Sequence, residues 1–119
     1  ATKEQIYNAI WWESDSKNIK NLIAVNLRHL KNDLECAGLG ESIICRENRY
    51  FICRDEIACD IDLFERIYEE FKLHNTKVQA KNLLSLYKGE YLSDFEALWA
   101  TAKRIRYHEI YEEAEKYCL

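Results

Sequence analysis

Arg28, His29, Lys31 and Asn32, preceded by Lys20, Asn21 and Val25, are residue types that meet the surface of a nucleic acid. Arginine forks onto guanine, asparagine onto adenine, and a small apolar group such as Ala24 or Val25 touches a thymine methyl in the major groove. Lys20 and Lys31 suit phosphates, which fix register without reading sequence. Arg46 and Arg49 form a second basic pair around Glu47 and Asn48. Other chemistry is poorly supplied. His29, His74 and His108 stand far apart, with no Ser, Cys or carboxylate at the spacing of a nucleophile or a metal-binding helix. There is no glycine-rich phosphate loop. The expectation is therefore no catalytic residue, no metal, no cofactor and no enzyme.

These residues need a frame, and the apolar pattern supplies one. Ile19, Leu22, Ile23, Leu27, Leu30 and Leu34 recur at three- and four-residue spacing, which predicts a helix over residues 17–37 with one buried stripe. Asn21, Ala24, Val25, Arg28, Asn32 and Glu35 fall on the opposite face, flanked by Lys20, His29 and Lys31. Gly38 is the expected left-handed stop. Before this helix, Thr2 and Gln5 form a capping pair for a shorter one reaching residue 12, with Ile6, Ile10 and Trp11 on one face and Tyr7 beside them; residues 15–18 make a polar turn. After it, residues 42–46 and 49–53 read as two strands joined across Glu47 and Asn48.

A short helix, a tight turn, a longer helix and a hairpin make a partial winged helix-turn-helix. Residues 18–36 would lie in the major groove and the 46–49 turn on the backbone. The same helix face also suits the solvated side of a core helix. The hairpin favours the nucleic-acid reading, because two basic devices follow in the order a wing requires.

The second half differs in kind. Residues 1–54 carry eight Lys/Arg against seven Asp/Glu, whereas residues 55–119 carry nine against fourteen. Three further capped helices are expected. Asp62 with Glu65 opens one to residue 73, burying Leu63, Phe64, Ile67, Tyr68 and Phe71. Thr76 with Gln79 opens another, with Ala80, Leu83, Leu84 and Tyr87 inward and a stop at Gly89. Ser93 with Glu96 opens the last, whose core stripe is expected at Phe95, Leu98, Trp99, Ala102, Ile105, Ile110, Ala114 and Tyr117. With neither proline nor a flexible Gly/Ser linker at the boundary near residues 54–59, the halves are expected to pack together.

The segments IYNAIWW, NLIAVNLRHLKNDLECAGL and SIICRENRYFI resemble the last two helices and C-terminal hairpin of the OmpR-type winged-helix domain. CDIDLFERIYEEF, LLSLYKGEYLSDFEALWA and KRIRYHEIYEEAEKY resemble the opening of the bacterial transcriptional activator domain that follows a winged helix in SARP-type transcriptional regulators. The resemblance covers nearly the whole chain, and its most specific part is LYKGEYL with Trp99 and KRIR behind it. It implies a mainly α fold. A winged helix-turn-helix would occupy residues 1–54, lacking its N-terminal sheet and helix. A three-helix tetratricopeptide-like (TPR-like) segment would occupy residues 55–119, with further helices beyond. It implies DNA-binding positions at Asn21, Val25, Asn26, Arg28, His29, Lys31 and Asn32 on the helix and at Arg46, Asn48 and Arg49 on the wing. Arg49 stands where the family has glycine before Tyr50, so a differently shaped wing tip is expected. The partners implied are double-stranded DNA, RNA polymerase and a second copy through the helical half. The opposing class is a helical protein–protein interaction module that binds no DNA.

Remaining features have plainer expectations. The five cysteines form no C-x-x-C pair and read as buried free thiols. Asp60, Asp62 and Glu65 suit helix capping better than a cation site. Lys103, Arg104 and Arg106 suit pairing with Glu109, Glu112 and Glu113. Trp11 is expected in the core. No apolar run approaches the roughly 20 residues of a membrane span and no signal peptide is visible, so a cytoplasmic protein is expected.

Overall fold

The computed structural model describes residues 1–12, 19–55 and 57–119, with side chains in the second helix described from Asn21 onward. Among these residues the chain is mainly helical, with five helices and one two-stranded antiparallel hairpin. In order these are α1 (Lys3–Ile10), α2 (Ile19–Cys36), β1 (Ile43–Arg46), β2 (Arg49–Ile52), α3 (Asp60–His74), α4 (Lys77–Leu86) and α5 (Leu98–Cys118). They form two compact units, Ala1–Ala58 and Cys59–Leu119. No described helix is long and apolar enough to cross a membrane.

In the first unit, local signals act as the sequence dictates. The Thr2 hydroxyl accepts from the Gln5 amide while the Gln5 side chain accepts from the Thr2 amide, satisfying orphan donors of α1 reciprocally. The expected turn at residues 15–18 and the start of α2 at residue 17 lie outside the described residues, as do the side chains of Ile19 and Lys20. At the far end, Leu39 N–H reaches Leu34 O at 2.7 Å and Gly38 N–H reaches Glu35 O at 3.0 Å, with Gly38 at φ +78°. This double closure requires a left-handed residue, which glycine adopts without penalty. Gly40 answers a different need: a Cβ there would lie 2.8 Å from Glu35 Cγ, so a side chain at this position would require the Glu35 side chain to shift. Glu47 and Asn48, at φ 51° and 61°, form the turn whose twist matches the flanking strands. The hairpin register pairs Arg46 with Arg49 and Cys45 with Tyr50. Residues 1 and 2 then line the outer edge of β2, through Tyr50 N–H to Ala1 O at 2.7 Å and a bridge from Thr2 to Arg49.

The core of this unit is narrow. Ile23 and Ser42 are fully covered and Tyr7 nearly so. Leu22, Leu27 and Leu34 are half-buried as the stripe predicts, but Leu30 is 45% exposed, so that stripe is narrower than expected. On α1 it is Tyr7 that is buried, whereas Ile10 and Trp12 are exposed and Trp11 only partly covered.

The second unit has a continuous core of Phe64, Phe71, Ala80, Leu83, Tyr107, Ile110 and Ala114. α4 packs against both α3 and α5. Asn75, left-handed at φ 48°, ends α3, and the Thr76 hydroxyl takes the Gln79 amide to open α4. Three expectations fail here. α3 begins at Asp60 after an N-cap Cys59 that makes no side-chain cap, so Asp62 is a residue of the first turn and not the N-cap. Leu63 faces outward. Ser93 does not open α5, which starts at Leu98. Residues 91–94 form a turn and 95–97 are irregular instead, because Arg104 donates to the carbonyls of Tyr91 (2.8 Å), Leu92 and Phe95 (2.7 Å) and holds them in that shape. α5 is consequently turned: Ala100, Tyr107, Ile110 and Ala114 are buried, while Leu98 is 87% and Ile105 56% exposed, with Trp99, Ala102 and Tyr117 outside as well.

Candidate nucleic-acid interface

α2 and β2 enclose a shallow cleft of about 400 Å³ within the first unit. Ala24, Arg28, Lys31, Asn32 and Glu35 line it from the helix, and Tyr50 from the strand. The helix delivers them because residues three and four apart share a face. The strand delivers Tyr50 because Arg46 and Arg49 are the last pair before the turn, placing Tyr50 one step further along the ladder.

Arg28, Lys31 and Asn32 are thus brought together as the sequence predicts. Asn21, Val25, Asn26 and His29 lie outside the cleft, on exposed parts of α2. The Asn26 amide is turned back onto its own helix, donating to Leu22 O at 2.8 Å, which commits the amide group that would otherwise fork onto a base edge. The Lys20 side chain lies outside the described set. Arg46, Asn48 and Arg49 are all exposed at the hairpin tip, and both arginines flank the turn. Among the described residues no ion pair neutralises Arg28, Lys31, Arg46 or Arg49. Glu35 in the cleft and Glu47 at the turn oppose them.

Tyr50 is the residue that sequence reasoning missed. Its hydroxyl is held above the usual tyrosine range, first by burial and then by the Cys45 thiol beside it, so it remains a neutral donor. In the antiparallel pair Cys45 and Tyr50 stand opposite each other on one face. The thiols depart from expectation too, since Cys36, Cys45 and Cys59 are exposed and only Cys53 and Cys118 are partly covered.

In the second unit, His108 Nδ1 stands 3.2 Å from the Tyr87 hydroxyl and its Nε2 3.4 Å from Glu112 Oε1. The arrangement looks like a relay, but it lies at the surface. Burial and Glu90 push the Tyr87 hydroxyl up, opposite to what activation of a nucleophile requires. Arg104, expected to pair with carboxylates, is instead committed to backbone carbonyls.

No protein-family model, curated protein or solved structure matches the chain.

Proposed function

We propose that the protein is a DNA-binding transcriptional regulator of the SARP type. In this reading the first unit is a partial winged helix-turn-helix, with α2 entering the major groove and the β1–β2 turn lying on the backbone. The single observation that carries the reading is the placement of Arg28, Lys31 and Asn32 in one cleft beside a hairpin that ends in Arg46 and Arg49. An arginine and an asparagine on one helical face suit base edges, and the hairpin pair suits phosphates. A net charge of −4 is compatible with this, because DNA meets one face and not the average. The second unit is a TPR-like segment that contacts RNA polymerase or a second copy. No catalytic step is assigned.

The test is fluorescence anisotropy of the full chain with mixed-sequence duplex DNA at low and moderate salt. Salt-sensitive binding, weakened by Arg28→Ala and by Arg49→Ala, is the expected result. Folded protein that shows no binding at low salt overturns the reading.

A second reading has its own observation. Leu98, Ala102 and Ile105 form an outward stripe along α5 at helical spacing, which suits a protein–protein interaction module without DNA binding. On that reading Arg28→Ala changes nothing measurable, and an α5 substitution such as Ile105→Asp abolishes association with the partner.

A further inference from the structure

The second unit contains a cavity of about 530 Å³ that the DNA reading does not use. Its floor and walls are aromatic. Phe64 and Tyr107 meet edge to face at 5.6 Å and 83°, Tyr91 and Tyr107 at 5.1 Å and 85°, and Tyr87 tilts against Phe64 at 6.3 Å. The rim carries two carboxylates, Asp60 and Glu90, against one ammonium, Lys88. Behind the wall, Glu65 Oε1 accepts from the Tyr107 hydroxyl at 2.5 Å and adds a third negative charge.

The negative charge is felt in the wall: after the larger effects of burial and Cys59, Glu65 and Asp60 raise the Tyr91 hydroxyl, and after burial Glu90 raises that of Tyr87. Asp60 has a structural reason to be there, since an acidic group in the first turn of α3 is favoured by the helix dipole. Glu90 has none: among the described residues it makes no hydrogen bond or ion pair.

The cavity is also built to hold its shape. Leu92 sits at φ 45°, a left-handed conformation that costs a non-glycine residue of order 1–3 kcal/mol. The Arg104 guanidinium holds it there by taking the carbonyls on both sides of the kink. A pinned wall of tyrosine beside unspent carboxylates favours cations, because ring faces and carboxylates attract positive charge together.

We propose that this pocket binds a small organic cation, an alkylated ammonium carrying an apolar body, with the head group at Asp60 and Glu90 and the body against the half-buried Tyr87 and Tyr91. The inference is independent of the DNA reading, and either can fail alone.

The experiment follows backbone amide shifts of the full chain during titration with choline and with the neutral isostere in which carbon replaces its nitrogen. Choline should perturb Gly89, Glu90, Tyr91 and Asp60, and the neutral isostere should bind about three- to tenfold more weakly. Glu90→Gln should weaken choline and leave the isostere unchanged. That substitution is on an exposed residue and leaves the core intact, whereas Tyr91→Leu serves as the harsher variant. Equal affinities for the two probes, or no shift at residues 89–91 in a folded chain, overturn the proposal. A peptide bearing one trimethylated lysine that binds more than about tenfold tighter than choline overturns the free-amine source.

Discussion

The two units differ in where they spend their apolar and aromatic residues. The second places Phe64, Phe71, Tyr107 and Ile110 in one continuous cluster and ties surrounding tyrosines to acceptors: Tyr68 donates to Glu113 at 2.9 Å and Tyr117 to the Asn75 carbonyl. The first covers Ile23, Ser42 and Tyr7 and leaves Val25, Leu30, Phe51 and Ile52 exposed. A helix that turns cations and amides toward a cleft cannot also wrap a wide core, since one cylinder has only one inner face. Surface chemistry and burial are therefore divided between the units. The one has un-neutralised arginines on a thin frame, and the other a packed aromatic centre.

The largest expected effect tests that contrast directly. Phe71 is buried and meets Tyr117 edge to face at 5.2 Å, so Phe71→Ala should cost about 3–5 kcal/mol in urea unfolding followed by helical circular dichroism. A cost below that of Leu30→Ala, in the first unit's exposed position, would erase the distinction between the two cores. Next comes Tyr107→Phe. The Tyr107 hydroxyl is raised by burial first, then by its bond to Glu65 and by nearby charge, with Arg106 opposing. A raised tyrosine stabilises the fold in its neutral form. The contribution is complete below its ordinary value of 10.0 and is lost as pH rises through the higher folded value. Tyr107→Phe should cost about 1.5–3 kcal/mol at neutral pH, because a hydrogen bond to a carboxylate is removed. It should also make the alkaline loss of stability shallower; an unchanged alkaline profile would show that other groups govern it.

The same contrast explains what the sequence could reveal. Where a signal is local, the residues suffice: the Thr2 and Gln5 pair, the Thr76 hydroxyl, Gly38 and the Glu47–Asn48 turn each act through bonds a few residues apart. The cleft residues Arg28, Lys31 and Asn32 were legible for the same reason, since helical spacing alone places them together. Failures occur where a distant group outbids the local one. Ser93 and Glu96 have the pattern of a helix start, but Arg104 ties down the carbonyls of Tyr91 and Leu92 just before it and that of Phe95 within it. Counting Leu and Ile then misplaced the inner face in the first half of α5, where the buried positions are Ala100, which is small, and Tyr107, whose polar tip is satisfied by Glu65; Ile110 and Ala114 further along are buried as expected. Tyr50 escaped notice because its position depends on strand register against a helix, not on spacing along either.

For the proposed interface, Arg28→Ala should weaken specific DNA binding by about 1–3 kcal/mol and relax discrimination at one base pair. Arg49→Ala should weaken all sequences alike and reduce the salt slope by about one, as loss of a phosphate contact does. Neither should alter stability by more than about 0.5 kcal/mol, since both side chains are exposed and unpaired among the described residues. Equal salt slopes for the two variants would mean that Arg28 also meets phosphate, and the division of labour between helix and hairpin would fall.

The smallest effect is a gain. Ser42 is fully buried and its hydroxyl has no hydrogen-bond partner among the described residues, while its backbone is fully used: its amide donates to Leu39 O at 3.1 Å and its carbonyl accepts from Cys53 N–H at 2.7 Å. Alanine preserves both backbone bonds and removes a polar group whose unsatisfied burial costs about 1–3 kcal/mol. Ser42→Ala should therefore stabilise the first unit by about 1 kcal/mol, raising the urea midpoint at an unchanged slope. A loss of stability instead would mean that the hydroxyl finds a partner in solution and that this core is better satisfied than its packing indicates. The comparison between units would then rest on size alone and no longer on polar satisfaction.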